Sequence, residues 1–135
     1  MIMPHVLTHQ QLLEIAGEFG TPLYIYHAER ITEQYHRLQE TGTTFFYACK
    51  ALTNVNVLRH VKSIGCNADC SSINEVKLAL LAGFEPATIL YTSNNIDFSE
   101  IEEAVSLGVH INIDSLSNLR KFGEKYGHGY PVGIR

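Results

Sequence analysis

The run Thr44-Phe45-Phe46-Tyr47-Ala48-Cys49-Lys50 is aromatic and apolar until it ends on a charge, and four later runs share its form. CNADCS starts at Cys66, TILYTSN at Thr88, HINIDS at His110 and VGIR at Val132, so consecutive starts stand 22 residues apart. Short runs of this composition, bounded by turn residues, read as strands. Helical patterns lie between them. Val55, Leu58 and Val61 share a face, as do Val76, Ala79 and Leu80, and Ile101, Ala104 and Val105. Ser72 with Glu75 and Ser99 with Glu102 read as capping boxes at helix starts. Gly65, Gly83, Gly108 and Gly127 each precede a strand and mark helix stops. Strand and helix alternate without a tight hairpin signal, which builds βαβ units and a parallel sheet.

Two parallel architectures compete for this pattern. A doubly wound sheet carries a Gly-rich turn after its first strand, whereas Lys50-Ala51-Leu52-Thr53-Asn54 contains no glycine. Short, evenly spaced βα units fit a (β/α)8 barrel, which takes about 250 residues. The chain has 135, enough for about five strands of an α/β, partial (β/α)8 barrel. Residues 28–135 are therefore expected to form the first half of the barrel. An open half barrel leaves sheet edges and apolar faces uncovered, so the chain is expected to be an N-terminal fragment. Residues 1–27 read as an arm outside the period. A helix is expected over 8–19, with Leu12, Leu13, Ile15 and Ala16 apolar and Gly20-Thr21-Pro22 as its breaker. Leu23-Tyr24-Ile25-Tyr26 reads as a strand, and a helix follows from Ala28 to Glu40 with Ile31, Tyr35 and Leu38 on one face.

Composition narrows the partners. Apolar residues are 45% and charged residues 18%, the balance of a globular domain, with net charge -4. Nucleic acid and anionic membranes both demand a basic face, so neither is expected. No apolar run reaches bilayer length, and the start lacks the basic and apolar regions of a secretory signal. Cys49, Cys66 and Cys70 are an odd count and read as free thiols of a reducing cytoplasm. Cys66 and Cys70 have no second Cys/His pair at zinc-finger spacing, so no metal site is expected. His27, His36, His60 and His128 read as surface residues.

Barrel enzymes carry their working groups at the C-terminal strand ends. Those ends hold Lys50; Asp69 with Ser71 and Ser72; Ser93 with Asn94 and Asn95; Asp114 with Ser115; and Arg135. Side chains alternate along a strand. Lys50 thus shares a face with Phe46 and Ala48, and His110, Asn112 and Asp114 point inward if Ile111 and Ile113 face helices. Arg135 lies on the face of Gly133, whose missing side chain leaves room beside the guanidinium. A lysine drawn out of water favours its neutral amine, a nucleophile that forms Schiff bases with aldehydes. Plainer readings stand beside these. Lys50 could reach solvent, Asp69 could serve a turn or helix start, Asp114 could cap the following helix, and Arg135 could be an ordinary surface residue.

Taken in order, the motifs resemble a known family. Phe46-Tyr47-Ala48-Cys49-Lys50-Ala51 resembles the cofactor-lysine strand of the alanine-racemase-like barrel enzymes, which use pyridoxal 5′-phosphate (PLP). Asn67-Ala68-Asp69-Cys70-Ser71-Ser72 with Glu75 resembles the second strand of their decarboxylase branch. Gly20-Thr21-Pro22-Leu23-Tyr24-Ile25-Tyr26 is similar to the opening of the diaminopimelate decarboxylases. Ala82-Gly83-Phe84, Ile113-Asp114-Ser115 and Val132-Gly133-Ile134-Arg135 fall in register with the same family. The resemblance implies a Schiff base between PLP and Lys50, Asp69 near both, and Arg135 beneath the cofactor near its phenolic oxygen. It implies decarboxylation of meso-diaminopimelate to L-lysine and CO2, for lysine biosynthesis, by a cytoplasmic homodimer. It also implies a C-terminal β domain to which the Leu23–Tyr26 strand belongs. Ile73 and Asn74 stand where the family often has two glycines, Ile96 where many members have lysine, and Leu52 in place of a common asparagine. The phosphate loop, the pyridine-nitrogen partner and the substrate-carboxylate residues would lie downstream, so the chain alone is expected to be inactive.

The alternatives are another PLP barrel enzyme (an ornithine, arginine or carboxyspermidine-type decarboxylase, or an amino-acid racemase), a non-catalytic PLP-binding barrel protein, and a phosphate-binding barrel without PLP. The half-barrel reading predicts that the isolated chain self-associates or is poorly soluble. Analytical ultracentrifugation with a urea titration checks this: a monodisperse monomer that unfolds cooperatively would contradict it.

Overall fold

Five strands form where the five runs stand. The computed structural model describes residues 7–92 and 94–135. Its strands are β1 (Phe46–Ala48), β2 (Asn67–Cys70), β3 (Ile89–Thr92), β4 (His110–Ile113) and β5 (Gly133–Ile134). They pair in that order in one sheet, every neighbour parallel. The helices are α1 (His9–Phe19), α2 (Ala28–Gln39), α3 (Val55–Ser63), α4 (Ile73–Ala82), α5 (Phe98–Ser106) and α6 (Leu116–Tyr126). Four of them, α3 to α6, supply the crossovers that parallel pairing requires.

The register carries the barrel's geometry. Phe46 pairs with Asn67, Asp69 with Leu90, Leu90 with His110 and Asn112 with Gly133, offsets of 21, 21, 20 and 21 residues. The run starts advance by 22. That excess, roughly one residue per strand, is the stagger that tilts the strands of an eight-stranded barrel with shear about eight.

The two sheet faces differ as the alternation requires. Ala68, Cys70, Ile89, Tyr91, Ile111 and Ile113 face the helices and are buried. They meet Val57, Leu58 and Val61 of α3, Ile73, Val76 and Ala79 of α4, and Ile101 and Ala104 of α5 in one core. The opposite face carries Phe46, Ala48, Asn67, Asp69, Leu90, Thr92, Asn112 and Gly133, none of them in that core.

Helix ends follow local chemistry, with one shift. Ser72 caps α4 by accepting from the Glu75 N–H at 3.2 Å, while the Glu75 carboxylate accepts from the Ser71 N–H at 2.7 Å. This is the expected box with its return bond moved back one residue. Gly83 ends α4 at φ +95°, a conformation that strains any residue with a Cβ. The box expected at Ser99 and Glu102 does not form. Asp97 is the N-cap of α5, which starts at Phe98, so Ser99 already lies inside the helix.

The arm behaves in two ways. α1 forms over nearly its expected length, capped by a reciprocal bond pair between Thr8 and Gln11. α2 forms as expected and docks through the Tyr35 hydroxyl, which donates to the Gly65 carbonyl at 2.8 Å. The expected strand over Leu23–Tyr26 does not form, because among the described residues no neighbour supplies a ladder, and Tyr24 is 89% exposed. Residues 1–6 and Ser93 lie outside the described residues. No helix among the described residues is long and apolar enough to cross a membrane.

Leu58 is fully buried between α3 and the sheet. In the full-length protein, Leu58→Ala is expected to cost about 2–5 kcal/mol through lost transfer energy and the cavity left behind. Urea denaturation checks this as a lower midpoint at unchanged slope; an unmoved midpoint would remove Leu58 from the core.

Candidate functional site

The C-terminal ends of the strands gather the polar side chains that the alternation turns away from the helices. Lys50 lies two residues beyond β1, within the 3-10 turn Cys49–Ala51, and is exposed. The strand ends at Ala48 and the Leu52 N–H closes the turn on the Cys49 carbonyl at 3.1 Å. Strand parity therefore does not extend to Lys50, and its expected inward direction has no basis in alternation. Its place at a strand end stands.

Asp69 sits within β2, in register with Ala48 on one side and Leu90 on the other. Its neighbours Ala68 and Cys70 are fully buried against the helices, so alternation turns Asp69 to the opposite face. Among the described residues, its Oδ1 is the one buried side-chain oxygen or nitrogen without a hydrogen-bond partner. An unsatisfied buried acceptor is costly and calls for a donor. Asp69 neither opens a helix nor closes a turn, because Ser72 holds the cap of α4.

The third and fourth strand ends are tied together. The Asn95 N–H donates to the Asp114 carboxylate at 3.3 Å. Asn95 has φ +56°, a left-handed conformation that asparagine tolerates better than most residues. Asp114 is not the cap of α6: Ser115 is, accepting from the Asn118 N–H at 3.3 Å. Asn118 is nearly buried and its amide donates to the Ile96 carbonyl at 3.2 Å, so α6 also holds the loop before α5. These groups surround a cleft of about 340 Å³ lined by Asn95, Asp97, Asp114, Ser117 and Lys121.

Arg135 follows β5, and its N–H donates to the Ile113 carbonyl at 3.1 Å, carrying the ladder one residue further. The recess at Gly133 does not serve the guanidinium. A Cβ on Gly133 would lie 1.9 Å from Asn112 Oδ1, so the Asn112 carboxamide fills that space. Its Nδ2 donates to Thr92 Oγ1 at 3.0 Å. This Thr92–Asn112–Gly133 row lies outside the residues expected to act. Two sequence signals mark it: polar residues on the inward face, and a glycine inside a strand, where another group comes close.

The cysteines are free and buried. The Cys70 thiol donates to Cys49 Sγ at 3.8 Å and the Cys66 thiol to the Phe45 carbonyl at 3.6 Å. The bond to Cys49 and burial push the Cys70 thiol up, and burial pushes Cys66 up. Among the described residues, no group of three or more His, Cys, Asp or Glu is placed to hold a metal ion.

The family model for the pyridoxal-binding domain of pyridoxal-dependent decarboxylases matches residues 28–135. The diaminopimelate decarboxylase of Methanothermobacter thermautotrophicus is 41% identical over 129 residues, which is 91% of this chain and 30% of that protein. The Escherichia coli K12 diaminopimelate decarboxylase is 32% identical over 144 residues, 98% of this chain and 34% of that protein. Among solved structures, Helicobacter pylori diaminopimelate decarboxylase in complex with L-lysine superposes with a TM-score of 0.81 at 28% identity, covering 92% of this chain and 34% of that one. The chain thus spans about a third of the length of the curated relatives it matches.

The same bond from Cys70 lowers the Cys49 thiol, so burial is what shields all three, and thiols out of reach of solvent react slowly. Thiol titration of the full-length protein with and without denaturant is expected to show Cys49, Cys66 and Cys70 labelled only on unfolding. Fast labelling of any of the three in the native state would contradict their burial.

Proposed function

Because the chain belongs to the pyridoxal-dependent decarboxylases, of which it carries the pyridoxal-binding domain, we propose that Lys50, Asp69 and Arg135 are the part of its PLP site that this chain contributes. The buried, partnerless Oδ1 of Asp69 carries this reading. It stands in register with Ala48, two residues before Lys50, where an ammonium or another cationic donor would satisfy it. Ala48, beside Asp69 in the sheet, keeps the inward face low there and leaves room for a flat ring. The residues present fit the cofactor.

Each side chain then has a task. The Lys50 amine, exposed at the strand end, is the nucleophile that holds the cofactor aldehyde. Asp69 orients that amine and balances its positive charge. Arg135, carried on the extended β5 ladder, would offer the cofactor a planar cation. The loop held by Asn95, Asp114 and Asn118 lies at the neighbouring β3 and β4 ends. When bound, PLP supplies the electron sink for the carbanion left as CO2 departs.

For the substrate, the diaminopimelate decarboxylases at 41% and 32% identity support meso-diaminopimelate, with L-lysine and CO2 as products of the whole protein. A cytoplasmic homodimer is the assembly this reading carries. The arm belongs with a β domain: no residue of α1 is buried, and Leu13, Phe19 and Tyr24 expose apolar surface that such a domain would cover.

The test is direct. Full-length protein incubated with PLP and reduced with borohydride is expected to carry the label on Lys50, and Lys50→Ala to carry none. Label on another lysine, or no label, overturns the assignment. CO2 release is expected from meso-diaminopimelate and not from lysine, ornithine or arginine; release from ornithine would move the protein to a different branch of the same fold.

A further inference from the structure

β5 has two residues, and its known neighbour in the sheet is β4. So short a strand is held weakly by its ladder alone, yet it carries Arg135. One side chain spans the junction. Asn112 lies in register with Thr92 on β3 and with Gly133 on β5. Its Nδ2 donates to Thr92 Oγ1 at 3.0 Å, and its carboxamide fills the place of a Gly133 side chain, 1.9 Å from Oδ1 and 3.0 Å from Cγ to an ideal Cβ. The amide is thus anchored on one strand and seated against the backbone of the other. Asp114 follows two residues after Asn112, and Arg135 two residues after Gly133, its N–H continuing the ladder to the Ile113 carbonyl.

We propose that Asn112 is a positioning residue: anchored on Thr92 and seated in the Gly133 recess, its carboxamide sets how closely β5 lies against β4, and so where Arg135 stands beside the bound PLP. This rests on the assignment of Arg135 to the PLP site. The recess and the amide are complementary in size. A methyl group at 133 cannot coexist with the amide where it is, so it either drives Asn112 off Thr92 or pushes β5 outward. Pushing β5 outward carries Arg135 with it; driving Asn112 off Thr92 removes the seat that sets β5 against β4. A shorter residue at 112 empties the recess and removes the conflict.

The experiment uses the full-length protein loaded with PLP. Two readouts are taken, the PLP dissociation constant and the visible circular dichroism of the bound cofactor, with the melting temperature of the PLP-free protein as control. Gly133→Ala is expected to weaken PLP binding about 10- to 100-fold, the scale on which small misplacements act, and to alter the dichroism. In the Asn112→Ala background, adding Gly133→Ala is expected to change neither readout further. That non-additivity would not follow from a general loss of stability. If Gly133→Ala does not fold, Asn112→Ala alone decides: weaker PLP binding with altered dichroism supports the proposal. A lower melting temperature with binding and dichroism unchanged overturns it, as does a further loss when Gly133→Ala is added to Asn112→Ala. If the parent protein takes no PLP on Lys50, the PLP-site reading fails first; if it does and Gly133→Ala matches the parent, only the positioning role fails.

Discussion

Alternation along three short strands, β2 to β4, does most of the organising in this molecule. In a parallel sheet covered by crossover helices, every second side chain must be apolar and small enough to pack against a helix. Ala68, Cys70, Ile89, Tyr91, Ile111 and Ile113 meet that demand and are buried. The residues between them are thereby released from the helix-facing core. Asn67, Asp69, Thr92 and Asn112 would each be destabilising on the helix side, where few donors or acceptors could reach them. On the other side they can be polar, and the fold tolerates chemistry there because its stability is secured elsewhere.

Stagger converts that local rule into a site. Paired residues are about 21 positions apart while the run starts advance by 22. Equivalent strand ends therefore climb together around the tilted sheet rather than drifting out of level. The result is visible in bonds that cross between loops. Asn95 reaches Asp114, and Asn118 reaches Ile96, each spanning one βα unit. The loops above the strands are thus fixed to one another, which is what a site assembled from several strand ends requires.

How far these features could be read from the sequence depends on the range of the interaction that sets them. The strands, the sheet order and the helix-facing residues follow from apolar spacing, because burial acts on every second or every third to fourth residue. Helix ends are nearly as legible: Ser72 and Gly83 act where expected. The misses occur where neighbouring residues compete for one role. Ser115 takes the cap that Asp114 could have filled, and Asp97 begins α5 two residues before Ser99 could cap it. The direction of Lys50 is beyond the reach of parity because β1 turns into a 3-10 turn at Cys49, and parity holds only for extended backbone. Leu23–Tyr26 has strand composition, but a strand is a pairing and composition does not supply the partner. Asn112 could be placed on the inward face, but its fit to Gly133 depends on residues 21 positions apart meeting at contact distance.

Asp69 and Asn112 are both inward polar residues of neighbouring layers, yet they differ in kind. Asn112 is satisfied within the chain, donating to Thr92 and packing against Gly133. A side chain so paired shapes its surroundings. Asp69 leaves one buried oxygen without a partner, a condition that costs about 1–3 kcal/mol for an ordinary polar group and more for a charged one. The exposed Lys50, two residues past the register partner Ala48, sits in a 3-10 turn and leaves that oxygen without a partner. A fold selected for stability alone would replace this carboxylate with an apolar residue, since the row of Ala48 and Leu90 on either side is already apolar. Under the proposed PLP site its place in that row is preorganisation: the carboxylate is set in place before a cationic group arrives, so that binding need not reorganise the strand that carries it.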